Sequence, residues 1–520
     1  MNQSYGMIQR METGTILTSG LFLSSKESFL KLTQDLSSSE ALSMKHSEVE
    51  YLIEQETHEV KRRLFEEHIA LRGMCDVGNK IIGIDGIIRN QKKIRKRILI
   101  SLFGKVVIER MGYGASQTNS LFPKDAILNL PDDLYSHGIR KLIALEICKN
   151  SFDDTIESVK RNTGIQIPKR QTIELTIKAS QDFDAYYDNA CSANAIETAK
   201  TLPLIILTTD GKGVVMRKED LRKETKKKAE KTKHKLNKRL SRGEKSNAKR
   251  MATVASVYNI DVFVRTPKQI INEFSSVKLE EITKRPRPLA KRVWASLEKS
   301  SEKVTQEIFE EALRRDPDKQ KKWVCLIDGD PNQCKRVRKI AKKLKIKITI
   351  IMDIIHVIEY LWRAARVFYN ENNPDAEIWV NDRLFEVLKG KAGYVAGGIR
   401  RSATLRKLSE EDRKAVDVSA DYLIKKSPYL KYDKYLKEGF PIATGVIEGA
   451  CRYLIKDRMD LTGARWRLKG AEAVIKLRSL KASKDFDKYW EFHEYKEHYR
   501  NHLSRYADLS VLVQNKQDCT

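Results

Sequence analysis

Val324-Cys-Leu-Ile-Asp-Gly-Asp330 and Ile346-Lys-Ile-Thr-Ile-Ile-Met-Asp353 are two short apolar runs, separated by the basic, helix-compatible stretch Lys335–Leu344. Runs of four to eight β-branched or aliphatic residues bounded by turn residues read as buried strands. A helix between two such strands makes them parallel neighbours in one sheet. Working outward, Leu204-Ile-Ile-Leu-Thr-Thr-Asp210 is a third run of the same kind, and it too ends on an aspartate followed by glycine. Strand-like Val254–Val264 follows, then a region that reads as helical to about residue 320. From His356 onward nearly everything reads as helix. Strands first, then strand–helix–strand, then helices predict an α/β chain with a mixed sheet flanked by helices.

Upstream, residues 1–40 are polar and Ser-rich, and read as a loose arm. Leu42, Val49, Leu52, Ile53, Val60, Leu64, Ile69 and Leu71 recur at helical spacing, which predicts a long amphipathic helix ending near Gly73. Arg97–Phe103 and Val106–Met111 are β-rich and split by Gly104-Lys105, a hairpin signal. Between 134 and 184 three short helices are expected (Leu142–Cys148, Phe152–Val159 and Gln171–Ala179). The last two are spaced as in a helix-turn-helix, which makes this region a DNA-recognition candidate.

Length and charge narrow the function. A chain of 520 residues exceeds one compact core, so several domains are expected. The net charge of +28 calls for an anionic partner, nucleic acid before any other. Residues 217–250 hold 16 Lys/Arg against 5 Asp/Glu, so about a third of the excess sits in one segment. Lys226, Lys227, Lys228, Arg239 and Arg250 are its candidate phosphate contacts. No apolar run approaches the ~20 residues of a spanning helix, and Met1–Leu21 lacks the pattern of a secretion signal. Seven scattered cysteines form no C-x-x-C pair, so neither a zinc ribbon nor a disulfide framework is written here. Reduced thiols in a cytosolic protein are expected.

Asp210, Asp328 and Asp353 each end an apolar strand, and in open α/β sheets ligands bind at the carboxyl ends of strands. One such aspartate alone is more often a turn residue or helix cap. Three in one domain repel one another unless divalent cations or protonation neutralise them. Phosphodiester cleavage supplies a reason for the cluster. Two ions ~4 Å apart, bridged by carboxylates, activate the attacking oxygen and stabilise the leaving one. A basic surface for phosphates and an acidic pocket for Mg²⁺ form a coherent pair.

Several motifs carry a family resemblance. Asp353-Ile-Ile-His356, followed by Val357-Ile-Glu-Tyr-Leu-Trp362, resembles the C/D-x-x-H motif of the superfamily of bacterial insertion-sequence and Mutator-like transposases. Thr209-Asp210-Gly-Lys-Gly213, Lys249-Arg-Met-Ala252 and Leu326-Ile-Asp328-Gly-Asp-Pro331 resemble the ISKra-type insertion-sequence transposases. So do Gly439-Phe-Pro-Ile-Ala-Thr-Gly445-Val-Ile-Glu448-Gly-Ala-Cys-Arg452, Lys456-Asp-Arg-Met459 and Thr462-Gly-Ala-Arg-Trp466. The matching runs from roughly 200 to 500.

The resemblance implies a ribonuclease-H-like core in which Asp210, Asp328 and Glu448 are the catalytic acids and hold two Mg²⁺ or Mn²⁺ ions. Asp353 and His356 are the implied accessory pair, with Asp353 the alternative second acid and a purely local hydrogen-bonding role open for His356. Asp330 reads as the cap of the helix after Pro331. A helix at Glu448 would set Arg452 on the same face, near the phosphate. Arg465 and Trp466 are candidate DNA contacts, the latter by stacking on a base, with a packed Trp the alternative. Relatives with a cysteine-rich, zinc-ribbon-like stretch are not matched around Arg110–Pro123, which has no cysteine.

The expected organisation is an arm over 1–40, a DNA-end-binding region over 41–199, and a catalytic core over 200–356. A helical insertion over 357–437 and the Glu448 helix with C-terminal helices over 438–520 complete it. The implied reaction is cleavage at element ends and transfer of the freed 3′-hydroxyls to target DNA. It would be carried out by a dimer or larger assembly on terminal inverted repeats, in a cytoplasmic, nucleoid-associated setting, with no membrane partner. The rival expectations are a structure-specific nuclease on the same fold and a domesticated DNA-binding protein without catalysis.

Overall fold

The computed structural model describes residues 21–189, 201–231, 248–274 and 285–513. Two compact units make up the chain. One is Met1–Ile143 with Asp153–Lys169 and His493–Thr520, the other Ala144–Phe152 with Arg170–Phe492.

The first unit opens with α1 (Leu23–Leu36) and α2 (His46–Leu71). The arm expected over residues 1–40 is therefore helical from Leu23 onward. Its polar, Ser-rich face hides the helix because the stabilising contact is distant. The Glu67 carboxylate of α2 accepts from the backbone N–H groups of Ser24 and Ser25 at 2.8 and 3.1 Å, capping the free start of α1. Strands β1 (Gln91–Ser101) and β2 (Gly104–Gly114) form an antiparallel hairpin in register from Gln91↔Gly114 to Ser101↔Gly104. Gly104 sits at φ 125°, a conformation side-chain-bearing residues rarely adopt. Leu99, Val106 and Ile108 of the hairpin pack on Ile69 of α2 and Leu130. Helices α3 (His137–Glu146), α4 (Phe152–Thr163) and α5 (Lys169–Ala179) follow. Of the expected helix-turn-helix pair, α4 belongs to the first unit from Asp153 and α5 to the second from Arg170.

The second unit is a mixed α/β structure on a five-stranded sheet. Its strands are β3 (Leu204–Val215), β4 (Lys249–Ile260), β5 (Leu289–Ser296), β6 (Lys322–Ile327) and β7 (Ile348–Met352), in spatial order β5-β4-β3-β6-β7. β3, β4 and β5 run antiparallel in sequence, and β6 and β7 are added in parallel on the other side of β3. The interior runs of β3, β4 and β6 are buried on both faces, which is why they read as continuous apolar stretches. β5 lies where a helix was expected. It is a short edge strand whose Lys291-Arg292 dipeptide breaks the apolar pattern, and Arg292 is buried over the rings of Tyr187 and Trp294. β4 ends at Ile260, short of the expected Val264, with Asp261 opening an irregular link.

Between β3 and β4 lies α6 (Lys223–Lys231), and α7 (Ser301–Arg315) follows β5. Helix α8 (Pro331–Lys343) joins the parallel pair β6 and β7. Its N-cap is Asp330, whose side chain accepts from Asn332 N–H at 3.0 Å, with Pro331 at the first helical position. After β7 come α9 (Ile354–Phe368), α10 (Pro374–Leu388), α11 (Ala392–Leu405) and α12 (Glu410–Lys426), then α13 (Gly445–Ala450). No helix among the described residues is long and apolar enough to cross a membrane.

Candidate functional site

Backbone register brings the three aspartates to one level. β3 and β6 pair as far as Thr208↔Leu326, and Asp210 and Asp328 each stand two residues further on. β6 and β7 pair as far as Ile327↔Met352, and Asp328 and Asp353 each stand one residue further on. Adjacent strands lie about 4.8 Å apart, so the carboxylates form a row along the end of the parallel half of the sheet. Asp328 and Asp353 follow their strands as expected. Asp210 differs, because β3 runs on to Val215. It does so because β4 pairs with it as far as Val215↔Lys249, whereas β6 stops, so the sheet ends beside Asp210 on one side only.

The three aspartates differ in what holds them. Asp353 is fully buried and its carboxylate is taken up on both sides. One oxygen accepts from Ile355 N–H at 2.9 Å and caps α9. The other accepts from the hydroxyl of Thr444 and, at 3.3 Å, from its N–H. Thr444 is the residue before α13, so Asp353 ties the start of α9 to the start of the helix that carries Glu448. The Ile354 N–H to Ile442 carbonyl bond, 2.9 Å, fastens the same two segments. Burial pushes the Asp353 carboxyl above the usual range, partly offset by these donors.

Asp328 is only partly buried, and among the described residues one of its oxygens accepts from Asp330 N–H at 3.0 Å. Asp210 accepts from its neighbour Gly211 N–H at 2.5 Å and from the buried Cys451 thiol at 3.2 Å. From the other side, Gln333 of α8 grips the Thr209 carbonyl at 2.8 Å and fixes the strand next to Asp210.

Glu448 projects from α13, which packs against β3 and β4, and its side chain is exposed. Partial burial, then the charge of Asp353, pushes its carboxyl above the usual range; His356 pulls the other way, and Asp210 adds a smaller push. Glu448 therefore shares the field of the aspartate row. No Lys, Arg or His side chain pairs with Asp210, Asp328, Asp353 or Glu448 among the described residues. His356 sits in the first turn of α9 and meets Glu359 at 3.0 Å, a contact within the helix.

After α13 the chain continues as a π-helical segment over Cys451–Lys456, a form found at functional sites more often than elsewhere. Arg452 stands on this segment. The guanidinium is 78% exposed and faces Asp457 at 3.6 Å, not Glu448. Trp466 is likewise not open to a base. It is 5% exposed, donates from Nε1 to the Met459 carbonyl at 2.9 Å, and packs beside Phe152 and the Arg458 guanidinium. Arg465 beside it is exposed. Lys226, Lys227 and Lys228 lie on exposed positions of α6. Arg250 is committed to structure, donating to the carbonyls of Leu297 and Asp220 at 2.9 Å each. Arg239 lies outside the described residues.

Cys451 and Thr444 were not singled out in the sequence. Cys451 has a faint signal, three residues past Glu448 on the same helical side. Thr444 has none beyond preceding Gly445. No family model matches the chain, and no curated protein matches it either.

The donor set suits a hard divalent cation. Asp210, Asp328 and Glu448 offer carboxylate oxygens, the Glu448 side chain accepts no hydrogen bond among the described residues, and burial, then the Asp353 charge, raises its proton affinity. As they stand, no three His, Cys, Asp or Glu side chains among the described residues converge on a common point. Filling the site would draw the exposed Glu448 side chain towards the row.

Proposed function

We propose that this protein is a DDE-type DNA transposase built on a ribonuclease-H-like core, with Asp210, Asp328 and Glu448 as its metal-holding acids. One observation carries the reading. Aspartates from neighbouring strands stand at one level, Glu448 lies in their field, and among the described residues no lysine or arginine forms an ion pair with them. Buried or crowded carboxylates without cations are costly, and proteins keep such arrangements where a ligand completes them. Mg²⁺ or Mn²⁺ would supply an activated oxygen nucleophile and stabilise the leaving oxygen.

The protein's own residues divide the remaining work. Asp328 serves as second acid in preference to Asp353, because its carboxylate is accessible while that of Asp353 is consumed by capping. Asp353 positions: it locks the Thr444 end of α13 to the sheet edge, which orients Glu448. The Cys451 thiol and Gly211 N–H orient Asp210. The exposed lysines of α6 supply phosphate attraction, a salt-dependent term. DNA ends and target DNA are the proposed partners, handled by two or more copies at the nucleoid.

Cleavage of flanking element-end DNA with Mg²⁺ or Mn²⁺ tests the reading. Asp328→Asn and Glu448→Gln should each abolish cutting while DNA binding persists. A dead Asp353→Asn beside an active Asp328→Asn would transfer the second acid to Asp353. Wild-type protein that binds but never cuts would leave a DNA-binding protein. Cutting without strand-transfer products would leave a nuclease.

A further inference from the structure

Helix α8 and the link to β7, residues 331–347, hold eight Lys and Arg and no Asp or Glu. Gln333, Cys334, Val337 and Ala341 are buried against the sheet side, which leaves Lys335, Arg338, Lys339, Lys342 and Lys343 exposed. Lys345 and Lys347, just past the helix, are exposed as well. Among the described residues Arg336 reaches Asp330 at 3.8 Å and Lys339 reaches Glu302 of α7 at 3.0 Å. The other six cations form no ion pair there. Arg338 lies over the Tyr429 ring, 5.0 Å from its centroid, while the lysines point to solvent.

The helix is anchored at its acidic end. Its cap, Asp330, stands two residues past Asp328 and accepts the N–H of Asn332. Gln333, one turn in, holds the Thr209 carbonyl beside Asp210 at 2.8 Å. From there the cations lead along α8 towards the start of β7. At 1.5 Å per residue, the stretch from Lys335 to Lys343 covers about 12 Å, the axial length of three or four nucleotides of one DNA strand at ~3.4 Å each. The helix dipole favours cations in the last turn, which accounts for Lys342 and Lys343 but not for Lys335 or Arg338. Like charges four residues apart, as in Lys335 and Lys339 or Lys339 and Lys343, oppose helix formation. Folding alone therefore gives no reason for this face.

We propose that the exposed face of α8 is a DNA-backbone track, on which Lys335, Lys342 and Lys343 meet phosphates of the duplex next to the bond facing Asp328. The assignment rests on the DNA chemistry proposed above and adds a contact surface separate from the lysines of α6. Its polarity follows from the fold: acids for metal at one end of α8, cations for phosphate along its outer side.

The combined variant Lys335→Gln, Lys342→Gln, Lys343→Gln tests the track, since glutamine keeps the helix and removes only charge. A control variant with the same change in net charge carries Lys414→Gln, Lys434→Gln and Lys437→Gln, three other exposed lysines. Affinity for an element-end duplex is measured across a salt series. The α8 variant should bind at least about tenfold more weakly at low salt, and the slope of log affinity against log salt should fall by about 2–3, near 0.9 per lost phosphate contact. The control slope should change by less than about 1. Hydroxyl-radical footprints of the α8 variant should lose protection over about three or four nucleotides beside the cut site. The melting temperature should stay level or rise. An unchanged slope in the α8 variant, with wild type still cutting, overturns the track and leaves the acid assignment standing. An equal fall in the control overturns it too, because net charge alone then explains the loss. Tighter binding to an RNA duplex of the same sequence overturns DNA as the partner. A slope that falls as expected in a protein that never cuts keeps the track and removes the transposase reading.

Discussion

One sheet carries two sets of carboxylates treated in opposite ways. On the β4–β5 flank, buried Glu311 of α7 is met by Arg292 at 2.6 Å and by Arg315 at 2.6 Å, and these guanidiniums hold its carboxyl far below the usual range. Nearby Lys299 bridges Asp184 and Glu307 at 2.6 Å each. At the end of the parallel strands, burial pushes the carboxyls of Asp353 and Glu448 up, and neither forms an ion pair with a lysine or arginine among the described residues. The chain plainly has cations to spare, with 98 Lys and Arg. Among the described residues none of them forms an ion pair with the acids of that edge, and the proposed metal site rests on that contrast.

The contrast breaks first if the acidic edge proves inert. Asp328→Asn and Glu448→Gln are expected to cost about 10³-fold or more in cleavage rate, as loss of a metal-holding carboxylate should. Circular dichroism and melting temperature should barely change. Equal loss of folding and activity would turn the edge into a structural feature.

The opposite flank should show the reverse pattern. Arg292→Met strands the Glu311 carboxylate with one buried partner fewer, and is expected to cost about 3–5 kcal/mol of stability. Chemical denaturation measures this directly. Combining Arg292→Met with Glu311→Leu should recover much of the loss, since the penalty lies in the unpaired charge and not in the missing bond. Cleavage per folded molecule should be unaffected.

Asp353 sits between the two classes, acidic-edge by position and structural by its bonds. Asp353→Asn retains an acceptor for Ile355 N–H but alters the contact with Thr444. A loss of about 10–100-fold in cleavage is expected, the scale of a residue that orients a ligand rather than being one. Thr444→Val should reproduce most of it. A loss matching that of Asp328→Asn would erase the distinction between holding and positioning.

How much of this was legible beforehand follows from where the forces lie. β3 and β6 announced themselves because strands walled on both faces have to be apolar in their interior runs. β5 did not, because its buried Arg292 is paid for by Glu311, nineteen residues on. Helix α1 was hidden because its cap comes from Glu67. The three aspartates were visible as strand-end acids, yet nothing local distinguishes Asp328 from Asp353. The bond that does so comes from Thr444, ninety-one residues later. Trp466 looked available because its partners, Met459, Phe152 and Arg458, converge only in the folded chain.

The smallest expected effect probes the contrast without any DNA. A carboxyl whose affinity for protons is raised by folding contributes stability at low pH, and that contribution is lost as pH rises through its elevated value. For Asp353 and Glu448, acidic conditions are therefore the favourable side. For Glu311 the sign is opposite: its contribution is complete at neutral pH and is lost only in strong acid. Glu448→Gln, which cannot ionise, should thus gain on wild type by a few tenths of a kcal/mol at pH 8, the scale of exposed charge pairs. The gap should close as pH falls towards 4. Millimolar Mn²⁺ at pH 8 should close it from the other side, stabilising wild type by about 1.4 kcal/mol at ten times its dissociation constant and the variant by less. Thermal melts at the two pH values, with and without the ion, measure all four corners. A wild type that melts above Glu448→Gln at pH 8 in the absence of metal would mean that the acidic edge is already neutralised by the protein itself.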